Sequence, residues 1–242
     1  MFDNRTYRRH HNKEGLIQFD ITVKETNLNI QADSDLTEEA VRAVLNCRSL
    51  LENHISLAPE FASSLAPLPL PSLPVPKVIR EMTDAGSAAG VGPMAAVAGA
   101  VAEYTGRQLL TRSRQVVVEN GGDIFVSSDT RTRVTIYAEN SPFSMTCGIE
   151  ISPQENPFGI CTSSGTLGHS KSFGQADAAM VFSDSCALAD AAATALGNRV
   201  RTKSDIQPAI DWGKAIPGIR GIVVIKKENI GIWGGDLKLV RL

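Results

Sequence analysis

Between Ala187 and Asn198 the chain reads ALADAAATALGN: six alanines in twelve residues, one charged side chain (Asp190), and a threonine, Thr194, four positions on. Alanine is the best helix former, and small side chains let neighbouring backbone crowd against a helix. Any fold for this chain has to bring such backbone close and find a use for one carboxylate. Asp190 and Thr194 stand at i and i+4, so their oxygens share a helix face. Two oxygens so placed, completed by backbone carbonyls, waters or ligand phosphates, suit Mg2+, which rarely takes an all-protein cage. A structural part is equally open to them. Asp190 can cap a helix N-terminus, and Thr194 can bond back to the carbonyl four residues earlier.

The rest of the 242 residues offers enough chain to bury a substantial core. With 43% hydrophobic and 21% charged residues, the composition is that of a soluble globular protein. A net charge of −2 argues against nucleic acid or an acidic membrane as partner. Only Arg5 to Lys13, RTYRRHHNK, is locally basic. It reads as an exposed arm or as a patch that attracts an anion. It has no continuous apolar core and no small-residue cleavage site, so a signal peptide is not expected. The uncharged run Ala85 to Ala102 is about long enough to cross a bilayer. Alanine and glycine dominate it and Pro93 interrupts it, so a buried helix after a glycine-rich turn is expected. Cys47, Cys147, Cys161 and Cys186 show no zinc-type spacing, which predicts reduced, mostly buried thiols and a cytoplasmic location.

Along the chain, Leu16 to Ala32 reads as two strands around Glu25 to Asn27. Apolar residues at Val41, Val44, Leu45, Leu51 and Ile55 have helical spacing, with Asp35 and Glu38 placed as a capping box. Pro59 to Pro76 holds six of the twelve prolines and should be extended, its alternating leucines packed along the domain. Helices are predicted from Lys77 to Ala85 and from Pro93 to about Leu110, the second opening on proline. Strands follow at QVVVEN, DIFVSS, TRVTIYAE, SMTCGIEI, GICTSS and AAMVFS. The alanine-rich helix should stop at Gly197-Asn198, and the C-terminal GIRGIVVIKKENIGIWGG should be a hairpin turning near Glu228-Asn229. Helices beside adjacent strands predict an α+β class, with a largely antiparallel sheet packed with helices.

Two further clusters carry chemistry. In VVVENGGDIF, Asn120-Gly121-Gly122-Asp123 is a hairpin signal, yet the glycine pair also lets backbone approach a ligand closely. In Gly159 to Asp177, hydroxyl side chains follow Cys161, interleaved with glycines and His169. Such a loop suits a phosphate or pyrophosphate, although a plain flexible loop remains an alternative. It matches neither the Walker spacing nor the G-x-S-x-G nucleophile elbow.

Taken in order, GVGPMAAVAGA, ENGGDIF, TSSGTLGHS and ADAAATAL resemble the ApbE-type flavin transferase superfamily, over roughly Gly90 to Asn198. The wording is most similar to a short cytoplasmic branch of it. The resemblance implies one ApbE-like domain over residues 1–242 and an activity dependent on Mg2+ and FAD. That activity is transfer of FMN to a protein threonine or serine, or hydrolysis of FAD to FMN and AMP. The alternative is a flavin- or nucleotide-binding protein of the same fold without turnover. By the same resemblance Asp190 and Thr194 bind Mg2+, aided by carbonyls near Ala95 and Ala193. Asn120, Gly121, Gly122, Asp123, Thr162, Ser163 and Gly165 lie against the flavin nucleotide, and Asp123 and His169 are the candidate bases. Partners implied are a small-molecule nucleotide, an acceptor protein and a second copy in a homodimer, with no nucleic acid and no membrane. Two departures stand out: Ala96 replaces a lysine usual in the family's turn, and the family's long N-terminal region has no recognisable counterpart. A ligand carboxylate is not a core contributor, so Asp190→Ala is expected to remove metal-dependent activity with little loss of folding.

Overall fold

The structure, a computed structural model, describes residues 13, 15–72, 74–138, 140–164 and 175–242. Alternating side chains make β1 (Ile17–Val23) and β2 (Thr26–Ala32) an antiparallel pair, turning at Lys24, where φ is 52°. The apolar runs of the middle of the chain become β3 (Val116–Asn120), β4 (Asp123–Ser127), β7 (Phe158–Ser163) and β8 (Ala178–Ser183). The C-terminal hairpin supplies β9 (Ile219–Lys226) and β10 (Asn229–Trp233), with Lys226 opposite Asn229. These eight strands form one sheet in the order β1-β2-β3-β4-β7-β8-β9-β10, antiparallel at every pairing. A second sheet, in the order β11-β6-β5, joins β5 (Thr132–Thr135), β6 (Cys147–Ile151) and β11 (Leu237–Arg241).

Period-two alternation gives the large sheet two buried faces. Val118, Phe125, Cys161, Val181 and Val224 point to the helices. Val117, Ile124, Ile160, Met180 and Val223 point to the small sheet, where Val134, Ile149 and Ile151 meet them. The helical layer contains α1 (Thr37–Leu57), α3 (Lys77–Ala89), α4 (Val97–Leu109) and α5 (Cys186–Arg199), with a 3-10 turn, Pro93–Ala96, leading into α4. Two shorter helices, α2 (Glu60–Ser63) and α6 (Ile206–Gly213), complete it. Among the described residues no single helix is long and apolar enough to cross a membrane.

Local details depart from the sequence reading. No capping box forms at α1, because Asp35 accepts instead from the Thr37 N–H at 3.0 Å and its hydroxyl at 2.6 Å. Leu45 is half exposed, and Ala40, Ala43, Val44, Cys47 and Leu51 make the buried stripe. Gly197 stays inside α5. The helix ends at Arg199, whose guanidinium donates to the Ala195 carbonyl at 3.0 Å and stacks 3.5 Å from the Trp212 ring centre. In the proline segment Leu68 and Val75 pack on the core while Leu65 and Leu70 stand exposed. A chain with about three residues per turn does not put alternate leucines on one face. The start of the segment read as extended instead forms α2, and neither β11 nor α6 was expected from the sequence.

Candidate functional site

Three elements meet where α4 begins. The β3–β4 hairpin turns through Gly121 and Gly122 at φ 68° and 111°, with Asn120 opposite Asp123. Two positive φ values in succession make the turn that matches the twist of paired strands. A Cβ at Gly121 would stand in open space, and one at Gly122 would meet only the Thr162 carbonyl oxygen, at 3.6 Å. The Asn120 side-chain amide donates to the Ala98 carbonyl at 3.0 Å, fastening the hairpin to the first turn of α4.

From the other side α5 brings Asp190, which is partly exposed. Its Oδ2 accepts from the Gly99 N–H at 2.9 Å. Asp190 is therefore a helix cap, but of α4 rather than of its own helix. The α5 N-terminus is held by the Ser185 hydroxyl, which accepts from the Leu188 N–H at 3.3 Å. Glu103 of α4 helps: its Oε2 accepts from the Cys186 N–H at 2.8 Å, and its Oε1 accepts from Arg107 at 2.6 and 2.9 Å. The two helices thus cap each other with carboxylates, each placed at the positive end of its neighbour's dipole. Gly99 permits the approach, since a Cβ there would lie 2.4 Å from the Cys186 carbonyl oxygen and 2.9 Å from the Asp190 Cβ. This is the crowding that the alanines of α5 allow.

Asp123 opens β4 on the helix-facing side, opposite Cys161. The residue is 7% exposed, and its Oδ1 is buried without a hydrogen-bond partner among the described residues. Burial, and after it the Asp190 carboxylate, drives the Asp123 pKa well above the usual carboxylate range; the Cys161 thiol and the Thr162 amide counter this only in part. Burial likewise pushes Asp190 up to about 7, against the Gly99 and Ala98 amides. The Cys161 and Cys186 thiols are also pushed up, burial first, so both stay protonated and poorly nucleophilic.

Asn120, Gly121, Gly122, Asp123, Asp190 and Ala95 therefore share one locality. Ala95 lies just before Ala96, the cap residue of α4, so its carbonyl is outside the i→i+4 ladder. Thr194 is buried one turn after Asp190. Ala193 lies within unbroken α5, where a carbonyl points along the axis to the amide four residues on. The adjacent pair Thr162 and Ser163 divides. Ser163 pairs with Ala179 and shares the face of Cys161 and Asp123, whereas Thr162 pairs with Met180 and faces the small sheet. Gly165 and His169 lie outside the described residues. Sequence reasoning missed Glu103, Ser185 and Gly99. The available signal for Glu103 was a lone acid ending the uncharged run, with Arg107 four residues on.

Among the described residues no three His, Cys, Asp or Glu side chains group to cage a metal. The donors are instead oxygens: two carboxylates, a threonine hydroxyl and a backbone carbonyl. An orphaned buried carboxylate oxygen beside a second carboxylate is what a hard cation satisfies. Mg2+ is commonly held by one or two carboxylates while keeping several waters. The residues fit that ion.

The model of the family described as "AbpE bacteria" matches residues 8–231, well beyond the Gly90–Asn198 span of the motifs. A UPF0280 protein of Methanosarcina acetivorans is 40% identical over 222 residues, covering 90% of this chain and 87% of the relative. The UPF0280 protein of Methanosarcina barkeri is 41% identical over 222 residues, with the same coverage. Among solved structures, the flavinyl transferase ApbE of Pseudomonas stutzeri in its apo form shares the fold. Its TM-score is 0.58 at 13% identity, covering 90% of this chain and 94% of that one. The expectation of a missing N-terminal counterpart is not met at the level of fold, since the likeness runs through nearly all of that transferase. Sequence match, relatives and fold agree: the chain belongs to the AbpE bacteria family, alongside the archaeal UPF0280 proteins.

Proposed function

We propose that the chain is a Mg2+-dependent enzyme acting on a flavin nucleotide, either transferring FMN from FAD to a protein hydroxyl or hydrolysing FAD to FMN and AMP. The observation that carries this reading is the buried, unpartnered Asp123 Oδ1 beside Asp190, where a glycine turn meets a helix N-terminus. Family membership and a fold shared with a flavinyl transferase support it.

Asp190 and Thr194, with the Ala95 carbonyl, would hold Mg2+; bound there, the ion would stabilise the charge that develops on phosphate oxygens. The open backbone of Gly121 and Gly122 would receive the nucleotide, with Asn120 locked in place by Ala98 and Ser163 on the same face. Asp123 would take the proton of the attacking hydroxyl or water, a role that a carboxylate with a raised pKa performs near neutral pH. His169 is the other candidate base. The chain works as one domain in this reading, because the helix-side core runs from Ile21 to Val224. Four free thiols suit a reducing compartment such as the cytoplasm.

A second reading, flavin or nucleotide binding without turnover, has Ala96 in its favour. It is fully buried and brings no charge to a phosphate where the family usually has lysine. Incubation with FAD and Mg2+, followed by chromatography for FMN and AMP and by in-gel flavin fluorescence of added protein, separates the two. Mg2+-dependent release of AMP supports the enzyme. FAD binding with no AMP released over a day sinks it in favour of the binding protein.

A further inference from the structure

We propose that Asp123 is itself a cation ligand. Together with Asp190 it forms a two-carboxylate site that takes Mg2+ or Mn2+ before any nucleotide arrives. This rests on the cation reading above and moves Asp123 from proton transfer to the ion, which leaves His169 as the candidate base.

The argument begins with an oxygen that has nothing to bond. Asp123 is 7% exposed, and its Oδ1 is sealed from water without a hydrogen-bond donor among the described residues. A buried carboxylate oxygen in that state carries a large desolvation cost unless a counter-charge meets it. The charges of Asp190 and Glu119 add to that cost, and the Cys161 thiol and the Thr162 amide offset it only in part. Backbone pairing and hydrogen bonds hold both acids in place. Asp123 is fixed by pairing with Asn120 on one side and Cys161 on the other, and Asn120 is tied to Ala98. Asp190 is tied to Gly99 of the same helix turn, and Gly99 admits no larger residue.

The surroundings also select the kind of cation. The two sulfurs nearby are buried thiols, with the Cys161 thiol donating to the Cys186 carbonyl at 3.4 Å. They are not thiolates offered to zinc. What remains is oxygen: two carboxylates, the Thr194 hydroxyl one helical turn past Asp190, and the Ala95 carbonyl outside the ladder of α4. Oxygen donors with waters completing the shell favour Mg2+ and Mn2+. A carboxylate oxygen that accepts one N–H keeps a lone pair for a metal, so the cap on α4 and the cation are compatible at Asp190.

The test is Mn2+ titration of chelator-stripped protein without FAD, followed by electron paramagnetic resonance of free Mn2+ and by the Mg2+-induced rise in melting temperature. The wild type is expected to bind. Asp123→Asn is expected to bind about 10–100-fold more weakly, to lose the Mg2+-induced rise, and to melt higher than the wild type when both are metal-free. That last sign follows because a buried like-charge contact is removed, whereas loss of a merely structural contact would lower it. Asp123→Ser serves as the second variant should the asparagine fail to fold. Mn2+ binding by Asp123→Asn within about threefold of the wild type overturns the proposal, as does a wild type that binds no Mn2+ until FAD is added. A wild type that cleaves FAD with Mg2+ yet shows no nucleotide-free binding keeps the proposed function and ends this inference. One that binds Mn2+ through Asp123 but leaves FAD intact supports this inference and ends the enzyme reading.

Discussion

The two faces of the eight-stranded sheet are built on opposite principles. Towards the small sheet the core is Val, Ile, Phe and Met, filled by volume alone, with Phe158 and Phe182 meeting edge to face at 5.2 Å. Towards the helices, alanines and cysteines of α4 and α5 stand among larger apolar side chains, and charged groups appear: Glu103 at 5% exposure, Asp123 at 7%, and the partly exposed Asp190. Small residues bring backbones together, and close backbones need their end groups satisfied. The carboxylates of α4 and α5 do that for each other. One face is mainly apolar, its buried polar residues Asn29, Gln31 and Glu119 gathered on β2 and β3; on the other, carboxylates cap helix ends, and among the described residues one oxygen of Asp123 and the Thr105 hydroxyl are left without a partner. Chemistry sits on the second.

The contrast breaks if damage to the apolar face abolishes function. Phe158→Ala removes a fully buried aromatic ring and should cost about 3–5 kcal/mol, read as a shift in the urea midpoint. The protein that remains folded should keep wild-type FAD affinity. Glu103→Ala should cost about 1–3 kcal/mol, because it leaves the Cys186 amide of a buried helix end without its charged acceptor. Here FAD affinity should fall as well, since α5 carries Asp190. If Phe158→Ala disturbs binding more than Glu103→Ala at equal folded fraction, the division of labour is wrong.

Asp190 sharpens the same point. The sequence suggested that Asp190→Ala would leave folding nearly untouched, but the structure makes it the cap of α4. Its removal should therefore cost about 0.5–2 kcal/mol in addition to any metal-dependent activity. Asp190→Asn, which keeps an oxygen for the Gly99 N–H, should recover most of that stability and none of the Mg2+ dependence. Equal melting temperatures for the alanine and asparagine variants would argue against the cap.

What the sequence made legible followed from local rules. Strands were visible as apolar runs, the turn at Gly121-Gly122 as Asn-Gly-Gly, and the helix 187–198 as alanine. Asp190 and the hairpin could be associated only through their resemblance to a family, and the structure brings them together through α4, which neither stretch names. Glu103 was missed because its partner, the Cys186 amide, is 83 residues away; nothing local marks a carboxylate as another helix's cap. Leu237 to Arg241 was missed because β11 pairs with β6 across most of the C-terminal half, a contact that no turn signal announces.

The acid pair also sets a pH dependence. Asp190 is raised to about 7, and Asp123 is raised well above its usual range. The native state then binds more protons than the unfolded chain, so stability falls as pH rises. The contribution is fully present below about pH 4, where even unfolded aspartates are protonated, and the part due to Asp190 is lost as pH climbs through about 7. Metal-free protein should thus unfold at lower urea at pH 7.5 than at pH 5. Asp123→Asn should flatten that slope, and a slope of the opposite sign would show that other groups govern the window.

The smallest expected effect tests the division at a single peptide bond. Thr162 and Ser163 are neighbours with similar side chains, and both were read as flavin contacts. Pleating sends them to opposite faces: Ser163 beside Cys161 and Asp123, Thr162 beside Ile160 and Met180. Ser163→Ala removes a hydroxyl from the face that would receive the nucleotide, and should weaken FAD binding by about 1 kcal/mol, roughly fivefold. Thr162→Val changes only the methyl-sized end of a side chain that faces the small sheet, while its backbone keeps the same place in the β7–β8 pairing. It should leave both FAD affinity and stability within about 0.5 kcal/mol of wild type. Reversal of the two results, with Thr162→Val the more damaging to binding, would mean that the ligand enters from the small-sheet side. The whole assignment of chemistry to the helix face would then have to be turned over.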